Sequence, residues 1–237
     1  MNFLKLSLLV FGLLGLVTNT TYGQINRQIA PAEITPQNTI LVFDLHGPVL
    51  ELKPQKAWPP FCKLKNKTNF FGKLLKYFFK NSKSKKSIEG IMLDSQTDPD
   101  NSNNLAIINP HVPVLETSEI ITKLKKLGYQ IYGCSNIGEQ SYQYISAKFP
   151  DTFKNFTACY TSQATNNYQT KNSKLFFEQA VKFFEQHNNF IPVNIIFIDD
   201  TLTNLKLATQ ADPRFYNMYF KNPKQLRASL QNLGFPV

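Results

Sequence analysis

The sequence predicts an α/β fold: a Rossmann-like parallel sheet between helix layers, with a small helical cap inserted after the first strand. Three observations predict it. From residue 115 onward, strand-patterned and helix-patterned stretches alternate, the signature of a parallel sheet sandwiched by helices. "VNIIFI" (193–198) is a mostly apolar run, as expected of a strand covered on both faces. "NTILVF" (38–43) runs into Asp44, and Gly47 follows three positions later. That is how a buried strand delivers a carboxylate to a loop.

Taken in order, "NTILVF" is the first strand. "LETSEIITKLKKLG" (115–128) places Leu115, Ile120, Ile121, Leu124 and Leu127 near helical spacing and stops at Gly128. "YQIYGC" (129–134) reads as a strand, and "EQSYQYISAKF" (139–149) as a helix closed by Pro150. "FTACY" (156–160) is a short strand and "NSKLFFEQAVKFFEQH" (172–187) a strongly amphipathic helix. After "VNIIFI" come a helix at 202–210, a last strand "FYNMYF" (215–220) and a closing helix at 223–234.

The domain organisation follows. Residues 1–23 carry Lys5, an apolar run from Leu8 to Val17 and a small-residue exit at Thr21 and Gly23. This is a secretory signal peptide pattern, and its apolar run is shorter than the about 20 residues a membrane span needs. It predicts an exported chain, periplasmic or secreted, with no transmembrane segment once the signal is removed. Residues 24–50 and 115–237 form the core. Residues 51–114 form the cap, a basic helical insertion in which Phe71, Leu74, Leu75, Phe78 and Phe79 share one helical face.

Composition narrows the class. The 20 Phe and 10 Tyr exclude general disorder. Three cysteines (Cys62, Cys134, Cys159) make no disulfide framework and show no metal-ligand spacing. Cys134 and Cys159 read as apolar core residues near strand ends. Lys and Arg outnumber Asp and Glu by 26 to 16, and residues 51–90 hold eleven lysines against Glu51 and Glu89. Such a patch either attracts anions or is a plain solvated face. Nucleic acid is an unlikely partner on this sequence, which shows charge without a stacking or groove-reading motif. The polar loop 94–104 lacks the glycine and glutamate of a calcium loop.

Parallel sheets bind ligands at the carboxyl ends of their strands. Asp44 follows strand one, Ser135 and Asn136 follow strand two, Lys171 precedes the 172–187 helix, and Asp199, Asp200 and Asn204 follow "IIFI". A carboxylate nucleophile, a hydroxyl, a cation and an acidic pair form one coherent set. Carboxylates suit Mg²⁺, a hard cation that takes oxygen ligands. A lysine and a hydroxyl suit a phosphoryl group that an aspartate attacks in line.

With these residues in hand, the chain resembles the haloacid dehalogenase (HAD) superfamily of aspartate-nucleophile hydrolases, in the subgroup whose cap is inserted after the first motif. The resemblance covers about 38–234: "LVFDLHG" is similar to the first motif, "YGCSN" to the second, "TKNSKLFFEQA" to the lysine motif and "IIFIDDTLTNLKLA" to the fourth. It implies an HAD-like core and a Mg²⁺-dependent phosphomonoester phosphatase acting on a small phosphorylated substrate. By the same resemblance Asp44 would be nucleophile and metal ligand, and the His46 carbonyl a further ligand. Ser135 and Asn136 would bind phosphoryl oxygens, and Lys171, rather than Lys174, would stabilise charge. Asp199 and Asp200 would hold Mg²⁺, with the direct ligand undecided between them, and Asn204 would brace their loop.

The chain departs from the pattern at His46. Phosphatases of the family place an aspartate there, which protonates the leaving group and then activates water. Histidine is a competent acid–base. His46 is therefore a replacement acid–base, or an imidazole that packs in a weakened enzyme. Pro48 is a second irregularity that stiffens the loop. The alternative reading is a catalytically weakened scaffold whose basic cap makes contact with an anionic partner or membrane surface. Dehalogenation is poorly supported, because that chemistry does not need an acidic metal pair.

Overall fold

The structure is a computed structural model and describes residues 33–52, 111–162 and 169–237. The predicted signal peptide, nearly all of the predicted cap and Cys62 lie outside the described residues.

Five strands form one parallel sheet: β1 (Thr39–Phe43), β4 (Gln130–Gly138), β5 (Ala158–Ser162), β6 (Asn194–Asp199) and β7 (Phe215–Tyr219). Their spatial order is β5-β4-β1-β6-β7. The chain runs outward from β1 through β4 to β5, then returns to the other side of β1 for β6 and β7. Strand order therefore reverses at β1, the place where such sheets leave a crevice for ligands.

The helices are α1 (Leu115–Lys126), α2 (Glu139–Lys148), the single turn α3 (Pro150–Phe153), α4 (Lys174–Gln186), α5 (Leu202–Ala211) and α6 (Pro223–Asn232). Strand alternation divides the core into two layers. Leu41, Phe43, Ile131, Ile196 and Ile198 pack with Ile120, Ile121 and Leu124 of α1, Ile145 of α2, and Leu226 and Leu230 of α6. Ile40, Val42, Tyr132, Ile195 and Phe197 pack with Phe176, Phe177, Ala180 and Phe184 of α4 and Leu205 and Ala208 of α5. All five residues of β1 are buried, so burial from both sides is what fixes this strand at the centre.

The structure differs from the sequence reading in three places. β4 does not end at Cys134 but continues to Gly138, with a register shift between those residues before Gly138 pairs with Ser162. Ser135 and Asn136 use their side chains within this stretch rather than turning the chain: the Ser135 hydroxyl accepts from the Ile137 amide at 3.3 Å, and Asn136 Oδ1 accepts from the Lys171 amide at 2.8 Å. Pro150 closes α2 and also opens α3, because proline fits the first helical position, where no donor is needed, while Phe149 before it leaves helical geometry. Finally, β2 (Leu50–Leu52) and β3 (His111–Pro113) pair antiparallel as a separate two-stranded ribbon. The chain leaves and re-enters the core through this ribbon, which spans the predicted cap boundaries.

Candidate functional site

Asp44 is the first residue past β1, and its amide donates to the Ile198 carbonyl of β6 at 2.8 Å. Asp199 ends β6 and Asp200 follows it, so adjacent parallel strands bring the three acids together by register alone. One carboxylate oxygen from each of Asp44, Asp199 and Asp200 lies within 4.8 Å of the other two. Asp44 and Asp199 are buried and Asp200 is exposed, so the group has one wet side.

Lys171 completes the cluster. Its ammonium lies 2.7 Å from Asp44 Oδ2 and 2.8 Å from Asp199 Oδ2, with only 2% of the side chain exposed. Burying a lysine is costly unless it is paired, and here it has two partners. The hydrogen bond that the Lys171 amide donates to Asn136 Oδ1 ties the lysine loop to β4. Lys174 instead faces solvent and pairs with Glu178 one turn along α4.

Asp199 is held from several directions. Its Oδ1 accepts the Thr201 amide at 2.8 Å, its Oδ2 accepts Lys171, and Asn204 Nδ2 donates to both oxygens at 3.1 Å. Asn204 therefore braces this loop. Asp200 is approached by Gly47 on the first loop: Gly47 has φ +93°, and a Cβ there would collide with the Asp200 carboxylate. Only glycine permits this approach without strain.

The charges of the site oppose one another. Burial pushes the Asp44 carboxyl up to about 7; Lys171 pulls it down, and Asp199 and Asp200 add to the rise. For Lys171 burial works against the charged form, yet Asp44 and Asp199 outweigh it and hold the ammonium above its usual range. Three carboxylates against one ammonium leave a net negative site, which a divalent cation would neutralise. The all-oxygen donor set fits Mg²⁺.

Ser135 is buried at the carboxyl-terminal half of β4, beside β1. His46 is half-buried, and its ring packs on that of His111 from β3, with centroids 4.7 Å apart and planes at 58°. Sequence reasoning missed His111 and Thr201. Gly47 stands three positions past Asp44 in the sequence, whereas His111 carried no signal, since its partner is 65 positions away.

No protein-family model and no curated protein matches this chain. Solved structures do. A HAD family enzyme from Bacteroides thetaiotaomicron is similar over 78% of this chain and 94% of its own, at 18% identity and a TM-score of 0.54. A crystal of that wild-type enzyme holds magnesium and inorganic phosphate (TM-score 0.53, 17% identity). A HAD-superfamily hydrolase from Ehrlichia chaffeensis is similar over 84% of this chain and 99% of its own, at 15% identity and a TM-score of 0.51. The HAD-hydrolase YfnB from Bacillus subtilis, bound to magnesium, is similar over 83% and 100% at 13% identity and a TM-score of 0.56. The fold of this chain is thus the α/β fold of HAD-family hydrolases.

Proposed function

We propose that this protein is a Mg²⁺-dependent phosphomonoester hydrolase with Asp44 as nucleophile and His46 as acid–base. The observation that carries the reading is the convergence of Asp44, Asp199 and Asp200 at the sheet's switch point, with Lys171 paired to the first two. The likeness to a Bacteroides enzyme crystallised with magnesium and inorganic phosphate supports it.

Asp44, Asp200 and the His46 carbonyl would hold the Mg²⁺. Asp199 is the less suited direct ligand, because Lys171, Thr201 and Asn204 already occupy its oxygens. When bound, the cation neutralises charge on the carboxylates and on the phosphoryl oxygens. Ser135 binds a phosphoryl oxygen, with Asn136 holding Lys171 in place beside it. Asp44 Oδ attacks phosphorus, the ester P–O bond breaks, and His46 gives its proton to the leaving oxygen. Water then attacks the aspartyl-phosphate and gives its proton to His46, releasing phosphate and restoring Asp44. Lys171 holds Asp44 in position throughout and offsets its charge. Export rests on the pattern of residues 1–23, and among the described residues no helix is long and apolar enough to cross a membrane.

The test is steady-state turnover of a phosphate-ester panel between pH 5 and 8, with and without Mg²⁺. Metal-dependent turnover that is lost in Asp44→Asn is the expected result. Wild type indistinguishable from Asp44→Asn on every ester would instead favour a binding scaffold, whose anionic contacts would lie on cap lysines outside the described residues.

A further inference from the structure

We infer that His111 is a positioning residue for His46. Its ring holds the His46 imidazole in the orientation that proton transfer at the cleft requires. This rests on the phosphoryl-transfer reading above.

Replacing an aspartate by histidine at an acid–base position creates a physical problem. A carboxylate is short and presents two equivalent oxygens. An imidazole is larger, and a ring turned away from the leaving oxygen transfers nothing, since the heavy atoms must come within about 3 Å. A side chain that must act at one orientation needs a surface that removes the others. His111 supplies that surface. It is 7% exposed, and its ring lies 4.7 Å from that of His46, centroid to centroid.

The backbone links the two rings into one unit. The His46 loop closes on β2: the Gly47 amide donates to Leu50 O at 2.8 Å, and the Leu50 amide donates to Leu45 O at 2.7 Å. His46 itself forms a bridge with Leu50. β2 then pairs with β3, with Leu52 opposite His111, and the Val114 amide donates to Val49 O at 2.9 Å. The return arm of the ribbon therefore sets where the His111 ring stands relative to His46.

The experiment compares His111→Ala and His111→Phe on two phosphomonoesters, an aryl ester whose leaving group needs little protonation and an alkyl ester whose leaving group needs it. His111→Ala should lower kcat for the alkyl ester by about 10- to 100-fold, the cost of a misplaced acid, and the aryl ester far less, with KM unchanged. His111→Phe, which keeps an aromatic surface, should restore most of the alkyl-ester activity. In a His46→Ala background, His111→Ala should cost nothing further. Equal losses on both esters, a Phe variant no better than Ala, or full additivity with His46→Ala would each overturn the inference. Histidine-selective NMR adds a readout independent of turnover: the His46 ring signals should shift and average in His111→Ala, and unchanged signals would overturn the positioning itself. A wild type that hydrolyses neither ester overturns the underlying reading instead, which separates the two failures.

Discussion

Lys171 Nζ sits 2.7 Å from Asp44 Oδ2, with the two side chains 2% and 8% exposed, and it reaches Asp199 Oδ2 at 2.8 Å. One buried ammonium thus serves two buried carboxylates from adjacent strands. The sheet's switch point is held by the one side chain that pairs both carboxylates.

Lys171→Met leaves both carboxylates buried without their cation. Breaking a buried pair in this way costs about 3–5 kcal/mol. Denaturant unfolding in the presence of chelator should show a loss of that size. Adding Asp44→Asn should recover part of it, because one of the stranded charges is gone.

Mg²⁺ should stabilise the folded chain by mass action, by about 2.7 kcal/mol at a hundred times its dissociation constant. Asp200 is exposed, so Asp200→Asn should leave the metal-free Tm nearly unchanged while reducing the magnesium-induced rise. A rise of equal size in both proteins at each magnesium concentration would remove Asp200 from the metal site.

Asp44 gives the metal-free protein a predictable pH dependence. Burial raises its carboxyl from 3.8 to about 7 in the folded chain. Between those values the folded state holds a proton that the unfolded state has released. The Asp44 contribution is therefore least favourable above pH 7 and improves as pH falls from about 7 toward about 4. In chelator, the Tm difference between wild type and Asp44→Asn should move in favour of wild type as pH falls from 8 toward 5.

Gly47→Ala would place a Cβ against the Asp200 carboxylate at a residue with φ +93°. The left-handed backbone alone costs about 1–2 kcal/mol. Thermal melts should show that loss, and the magnesium-induced stabilisation should fall further because Asp200 is displaced. Retention of the full magnesium response would show that the close approach is dispensable.

Cys134 and Cys159 are free, buried thiols, each pushed well above the usual range by burial. In a Cys62→Ser protein, native-state labelling by a thiol reagent should be slow and should become rapid in denaturant. The two do not pair with each other: Gly133 is the strand partner of Cys159, so Cys134 points to the opposite face of the sheet.

Much of the site was legible in the sequence because of where ligands sit in parallel sheets. Asp44, Ser135 and the Asp199–Asp200 pair follow apolar runs, and an apolar run of strand length reveals its own end. The choice of Lys171 over Lys174 was legible only through the resemblance, whose lysine motif Lys171 fits better. The structure gives the physical reason: Lys171 precedes α4 and points into the cluster, while Lys174 lies in its first turn and finds Glu178. The extent of β4 was not legible, since Ser135 and Asn136 look like loop residues. A strand here depends on β5 offering a partner at Ser162. The β2–β3 ribbon was hidden for the same reason, as neither three-residue strand has a period long enough to read.

By itself the sequence determined the alternation of strands and helices, the buried first strand and the identity of the polar residues at strand ends. Each of these is a local pattern of apolar spacing. Tertiary structure alone decided that Asp44 and Asp199 would share one ammonium, that Asp200 would keep a solvent side beside Gly47, and that His111 would stand against His46. Those relations join residues tens of positions apart, and they exist only after strand pairing and burial bring the segments together.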